Sequence, residues 1–404
     1  MKLARLALAA AAVCSSLIAN AEIRWIDKDF DFGLFKEITG PKTGTSSFVN
    51  LGPDTISVIA VKPSCGCTSS DFSDAPLAPG DTAFIHYTYD PTMRPGKFDK
   101  SVRVTLSDGS RHKIRITGNV LGTPESLATL FPVDAGVVRL SDSVIDAGRV
   151  IVTRSPISFV SAYILSTDSL SARLVPTDKA LTATPSTPVA GPGDIVTFSI
   201  ALDARRLNKY GPVEIPMEIE ITPTELENSK FKIQNSKLEP EPSASKEEPS
   251  ALKVENSNLK EETSNSEVQN SKFKIQNSQM SFRAFVLPDA DDLRRRQQGK
   301  NPSADAAPAR IDLGSVSGNA PLTTEITITN NGNAPLKILR IFADSDAVTF
   351  PKVPSVVKKG KTVRIPLKIA PEALPDGPAQ TRVGIITNDP LRPEIYLPLT
   401  YFKL

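Results

Sequence analysis

Residues 30–33 read FDFG, residues 145–148 read IDAG and residues 311–314 read IDLG. Each Asp-x-Gly closes a short alternating stretch, and two further landmarks follow each one at a fixed distance. The first is a glycine turn that opens an alternating strand: PGDTAFIHYTYD around Gly80, PGDIVTFSIALD around Gly193 and KGKTVRIPLKIA around Gly360. The second is a glycine that opens another strand: GKFDKSVRVTL at Gly96, GPVEIPMEIEI at Gly211 and GPAQTRVGIIT at Gly377. From the first landmark to the second the separations are 47, 45 and 46 residues, and from the first to the third they are 63 in every copy. One module therefore occurs three times.

The strands within a copy alternate. In the first copy Val102, Val104 and Leu106 share one face, while Arg103 and Thr105 take the other. Ile114 and Ile116 point inward, and Lys113 and Arg115 outward. A period of two means sheets with one buried and one solvated face. Six or seven such strands in roughly 100 residues, with turn residues between them, predict an antiparallel Ig-like sandwich. In the third copy TEITITNNGNAPLKILRI (324–341) reads as a strand, an Asn-Gly turn and a strand. The fold class is thus all-β, with three tandem Ig-like β-sandwich domains at 22–121, 122–288 and 309–404, joined before the third by a linker at 289–308.

The copies are 115 residues apart at the first landmark and then 166. Most of the excess lies in residues 225–280, which hold ten Glu, eight Lys, ten Ser and seven Asn, and the nonapeptide NSKFKIQNS twice. So polar a stretch buries too little apolar surface to offset its ordering entropy, which predicts a disordered low-complexity insert. It falls where the first copy has only the SDGS turn, so it replaces an exposed hairpin tip. KFKI is its one piece with β-propensity.

The N-terminus reads MKLARLALAAAAVCSSLIANA: a basic start, a short apolar run and an Ala-x-Ala site. This predicts a signal peptide over 1–21 and an exported protein in the periplasm or cell envelope. The apolar run is too short to span a bilayer, and no later one approaches 18 residues, so no membrane span is expected. Removing Lys2 and Arg5 leaves 47 − 2 = 45 basic residues against 45 acidic ones. That neutrality speaks against a nucleic-acid partner. The one basic run, Arg294–Arg296, follows Asp289, Asp291 and Asp292 and reads as a short self-neutralising helix or linker.

After the leader only two cysteines remain, in PSCGCT at Cys65 and Cys67. They form the candidate disulfide or thiol site, and three readings compete. An exported pair can oxidise to a small-ring disulfide, which is comparatively reducible and open to thiol exchange. Two thiolates can instead hold Cu(I), or both cysteines can stay buried thiols. Counting 32 residues on from each Asp-x-Gly glycine gives Cys65, Ala180 and Asp346, so the module folds without a thiol there. His86 and His112 read as surface or sandwich residues, and Asp71 and Asp74 as turn residues. Nucleophile-elbow, P-loop, dinucleotide, zinc-protease and C-x-x-C motifs are all absent. No catalytic residue, cofactor or metal site is assigned.

The segment FDFG…FVNLG…ISVIAVKPSCGCTSSDFSDAPLAPGDTAFIHYTYD…GKFDKSVRV, within residues 28 to about 120, resembles domain-of-unknown-function family 1573. These are Ig-like modules of exported bacterial envelope proteins, distantly similar to hydin-type Ig domains. Copies two and three resemble hydin-type relatives without the cysteines, and Phe72 stands where many members carry tryptophan. The resemblance implies an Ig-like fold and an envelope location, here that of a Gram-negative bacterium. The expected function is a non-catalytic scaffold or adaptor that binds an envelope protein, with the alternative of a periplasmic thiol-redox or copper protein acting through Cys65 and Cys67.

Overall fold

The structure, a computed structural model, describes residues 22–224, 273–274 and 280–404. The expected leader at 1–21 lies outside the described residues. So does the disordered insert expected over 225–280, apart from Phe273–Lys274 and Met280.

Among the described residues the strands form six sheets, which face one another in pairs around three large clusters of buried side chains. In the first pair one sheet runs Ile23–Trp25, Lys42–Asn50, Thr82–Tyr89, Thr68–Phe72. The other runs Asp29–Lys36, Arg111–Leu121, Gly96–Leu106, Val58–Pro63. The alternation in sequence is met side chain by side chain: Val102, Val104, Leu106, Ile114 and Ile116 are fully buried, and Arg103, Lys113 and Arg115 are exposed. Burying a Val, Leu or Ile side chain stabilises by roughly 1.5–3 kcal/mol, so this alternation fixes the register.

Pairing is antiparallel throughout each pair except at one place, which recurs. Asp-x-Gly does not close its strand, which runs on past the glycine and lies parallel to the last strand of its own copy: Asp29–Lys36 beside Arg111–Leu121, Val144–Ile151 beside Met280–Leu287, Ile311–Val316 beside Glu394–Lys403. A parallel pair cannot be closed by a hairpin, and here the rest of the copy serves as its crossover. The register slips at the same point each time, between Asp31 and Leu34, Asp146 and Arg149, and Asp312 and Ser315. The aspartate's Oδ1 accepts the glycine N–H at 3.0, 2.7 and 3.0 Å, and the glycines take φ of 65°, 62° and 63°. The repeated motif is thus a bulge that needs a side-chain acceptor at one position and a left-handed residue two further on. The six glycines of the other two landmarks also have positive φ.

The Asn-Gly stretch of the third copy is not a hairpin. Leu322–Asn330 and Leu336–Ala343 lie in opposite sheets, so the turn arches across the sandwich. The fully buried Asn330 holds that arch. Its Nδ2 donates to Ala334 O at 2.8 Å and Val357 O at 3.0 Å, and its Oδ1 accepts from Gly332 N at 3.0 Å. A Cβ on Gly332 would come within 2.4 Å of Asn301 O and Ser303 N, which excludes any other residue. Asn50 repeats the arrangement with Asp54 O, Leu77 O and Gly52 N. In the second copy the same backbone position is Ile164, whose N–H bonds Asp194 O as those of Asn50 and Asn330 bond Asp81 O and Lys361 O.

In the second copy Gly211–Pro223 and Met280–Leu287 pair across the insert, and Phe273–Lys274, from the second KFKI, pairs with Glu220 and Ile221. Before the third pair, Asp289 caps helix Ala290–Gln297, in which Asp291 and Asp292 ion-pair with Arg294, Arg295 and Arg296 at 2.8–3.5 Å. Ala304–Ala307, within the stretch read as linker, is an edge strand of the third pair.

Candidate functional site

Ser64–Cys67 connects strand Val58–Pro63 of one sheet to strand Thr68–Phe72 of the other. The turn is pinned at both ends by the backbone. Ser64 N donates to Ser101 O at 2.8 Å, and Asp90 N donates to Cys67 O at 2.9 Å. Cys65 and Cys67 are joined as a disulfide with S–S 2.06 Å and Cα–Cα 5.3 Å. Cys67 is buried against the first core and Cys65 is half-buried. The Thr68 hydroxyl lies 3.5 Å from Cys65 Sγ and 4.0 Å from Cys67 Sγ. Gly66 keeps φ outside the left-handed region, and a Cβ there would meet nothing within 4 Å, so neither strain nor crowding requires it.

The structural counterparts of the cysteines differ from those found by counting. Asp90 N→Cys67 O, Asp203 N→Ala180 O and Ala370 N→Ala347 O are the same bond in the three copies. Cys67 therefore matches Ala180 and Ala347, and Cys65 matches Asp178 and Ser345. The constant count of 32 failed because the intervening loops are two residues and one residue shorter, the same shortfall that the 47, 45 and 46 spacings carry. With that allowance the alignment was available in the sequence. It has a physical consequence. Where the first copy has a covalent bond, Asp178 Oδ1 accepts Ala180 N–H at 2.9 Å and Ser345 Oγ accepts Ala347 N–H at 3.3 Å. A hydrogen bond closes the same turn.

The disulfide opens on a cleft of about 400 Å³. Its floor includes Tyr89 and Phe98, stacked at 3.8 Å, and its rim carries Arg94, Lys97 and Lys100. Among the described residues no carboxylate lines it. Arg94 donates to Thr92 O and approaches Asp90 at 3.8 Å, and Lys97 Nζ is 2.8 Å from Asp194 Oδ2. Asp71 and Asp74 stand outside the cleft; Asp71 lies within strand Thr68–Phe72, opposite His86, rather than in a turn, and its Oδ1 accepts Phe72 N–H at 2.9 Å. His86 is exposed and shares a hydrogen bond with Thr45, and His112 packs beside Trp25 at 5.9 Å. As a disulfide the sulfurs offer no thiolate to a soft metal, and the described residues contain no group of three His, Cys, Asp or Glu placed to hold an ion.

A cleft of about 620 Å³ lies between the second and third sheet pairs and escaped the sequence reading. Its arginines are each committed to a carboxylate: Arg149 to Glu394, Arg283 to Glu214 at 3.0 Å and Arg382 to Asp344 at 2.7 Å. Two also lie over rings, Arg149 on Phe285 and Arg382 on Tyr396. No local motif marks these residues, because the pairs join strands far apart in sequence.

Residues 23–120 and 305–399 match the family described as "Protein of unknown function (DUF1573)". The first and third modules match the DUF1573 model. The match includes the third copy as well as the first, and the two matched copies are those with the buried Asn50 and Asn330 arches. Among solved structures the chain is similar to a protein of unknown function from Porphyromonas gingivalis W83, with 12% identity, 66% of this chain and 100% of that one covered, and a TM-score of 0.42. It is also similar to the YadV chaperone, at 9% identity over 65% of this chain and 100% of that one, TM-score 0.22. A third likeness is to the ASH/PapD-like domain 7 of human CEP192, at 10% identity over 30% of this chain and 98% of that one, TM-score 0.23. No curated protein matches the chain.

Proposed function

We propose that this all-β chain is a non-catalytic, exported scaffold or adaptor of the cell envelope, in which three Ig-like sandwiches are held in fixed relation and present their outer faces to an envelope protein. The observation that carries the reading is the construction of the junctions. Between the first and second sheet pairs, buried Glu37 takes three hydrogen bonds, from Met93 N, Thr123 N and Ser126 Oγ. Alongside, buried Asp194 takes Lys97, Asn119 and Gly191 N, and Gly122 N donates to the Tyr163 hydroxyl. Between the second and third pairs a small apolar cluster includes Leu287, Phe342 and Ile386, and Arg149 bonds Glu394 across it. Buried polar groups matched across a junction resist reorientation, because separating them leaves donors and acceptors unsatisfied. No helix among the described residues is long and apolar enough to cross a membrane.

The outer face of the second copy exposes Ile157 and Phe159 on one strand, 59% and 62% accessible, and Phe84 of the first is 54% accessible. A photo-crosslinking residue at each of these positions, used in the protein's own envelope, tests the reading. A discrete adduct of constant mass at one of them is expected, and its loss when neighbouring outer-face residues become charged. Absence of any adduct at all three positions overturns it.

A further inference from the structure

We infer that Cys65–Cys67 is a reversible redox couple, which accepts two electrons from a thiol donor while the module around it stays folded. Two independent observations lead there. First, the turn has no architectural need of the covalent bond. Asp178 and Ser345 close the equivalent turns with one side-chain hydrogen bond each, on the same backbone frame. A disulfide that closes so short a loop also removes little entropy from the unfolded chain. Second, the bond is placed for chemistry. Cys65 is half-buried at the wall of a cleft rimmed by Arg94, Lys97 and Lys100; among the described residues no carboxylate lines it, and Asp90 and Asp194, which pair with Arg94 and Lys97, stand outside it. Positive charge around a cysteine favours its thiolate, which makes it a better leaving group and a better nucleophile.

The exchange runs in two steps. A donor thiolate attacks Cys65 Sγ, the more accessible sulfur, and forms a mixed disulfide. The Cys65–Cys67 bond breaks, and its electron pair leaves on Cys67 Sγ, beside the Thr68 hydroxyl. The donor's second thiolate then attacks the donor sulfur of the mixed disulfide and releases Cys65. The donor leaves as a disulfide, and its two protons are balanced by those taken up on Cys65 and Cys67. A protein dithiol and two molecules of a small thiol share this chemistry. The cationic rim favours an acidic donor, and glutathione is the convenient probe. This inference does not depend on the scaffold reading, since a scaffold with an inert clasp would fail this test and still bind its partner.

The experiment uses the mature chain, equilibrated in millimolar reduced and oxidised glutathione at neutral pH, then alkylated and weighed intact. Expected are two alkylated cysteines in a fraction set by the thiol ratio, an unchanged near-ultraviolet circular dichroism spectrum, and an alkylation pKa below the ordinary value of about 8.5. R94Q and K100Q should move that pKa upward. A second protein carries the turn of the second copy, C65D/C67A, and should melt within about 3 °C of the parent. Reduction accompanied by loss of the tertiary signal, resistance to native reduction, or an alkylation pKa that neither substitution moves overturns the inference. So does a C65D/C67A chain that fails to fold, because the bond is then structural.

Discussion

The Ser126 hydroxyl donates to the Glu37 carboxylate at 2.6 Å, and that contact joins the first sandwich to the helix, Pro124–Leu130, that leads into the second. Glu37 sits 89 residues upstream of its partner, at the end of the strand that carries the first Asp-x-Gly. The same carboxylate also accepts two backbone N–H groups, from Met93 and Thr123. It is a clasp: one buried acid that satisfies three donors from two separate segments.

Glu37→Ala should therefore cost more than a surface substitution. Three donors, one of them the buried Ser126 hydroxyl, lose their acceptor, and an unsatisfied buried group costs about 1–3 kcal/mol. Denaturant unfolding should show that loss in the first transition. Small-angle scattering should show a broader distribution of distances between modules. Ser126→Ala removes a single donor and should cost about 1 kcal/mol with little change in scattering. Equal effects from both substitutions would contradict the clasp.

Acid should loosen the molecule in two windows. Burial raises the Glu37 pKa, but the bonds from Ser126, Thr123 and Met93 outweigh it and leave it below the ordinary 4.5. A depressed acid contributes stability that is complete above its unfolded pKa and is lost as pH falls through the folded value, so this window lies below about 4.5. Burial, helped by nearby Lys28, holds His112 below its ordinary 6.5. The half-buried ring binds a proton less readily than in the unfolded chain, so the unfolded chain takes up the proton first. Stability should fall as pH drops below about 6.5, until the folded-state pKa is passed. His112→Phe should abolish the upper window alone, and Glu37→Gln the lower one alone, in melts taken across pH.

Asn50 and Asn330 bear on why two of the three copies match one family. Replacing Asn330 with Ala strands the buried carbonyl of Val357, the half-buried carbonyl of Ala334 and the N–H of Gly332, and should cost about 2–4 kcal/mol in the third module. Asn50→Ala should do the same in the first. Ile164→Ala should instead follow cavity energetics, at about 2–5 kcal/mol, and respond to refilling with Val or Leu as the asparagine sites do not. Unfolding of variants that retain only one intact module each would separate the two behaviours.

These residues show what local sequence can carry. The sandwich was legible because inward positions such as Val102, Val104 and Leu106 obey a period of two, and because the landmark glycines need backbone angles other residues avoid. The cysteine turn was legible as a motif but misaligned, since a fixed count ignored loop lengths that the landmark spacings already showed. The Asn-Gly arch looked like a hairpin, because a turn's residues do not say which sheet receives the next strand. Glu37 carried no signal, and Asp194 was visible only as part of a landmark turn, not as a junction residue. The partners of Glu37 lie 56 to 89 residues away, and two of the three partners of Asp194 lie 75 and 97 away, beyond any short window; its third, Gly191, is local but does not reveal the junction.

Asp194 separates the useful part of the first junction from the conspicuous part. Its bond to Lys97 is an ion pair at 2.8 Å, but the lysine is 68% exposed, and such pairs contribute about 0–1 kcal/mol and weaken with salt. Its bonds to Asn119 Nδ2 at 2.9 Å and Gly191 N at 3.0 Å are shielded, because Asp194 itself is buried. Lys97→Ala should therefore change stability by less than about 1 kcal/mol, and less still in high salt. Asp194→Ala should cost about 1–3 kcal/mol at any salt concentration and leave the loop at Gly193 to exchange its amide hydrogens faster. The double variant should match Asp194→Ala alone, since the lysine then has no carboxylate to lose. If Lys97→Ala instead accounts for most of the loss, the junction is held by charge, and its rigidity should vanish at high ionic strength.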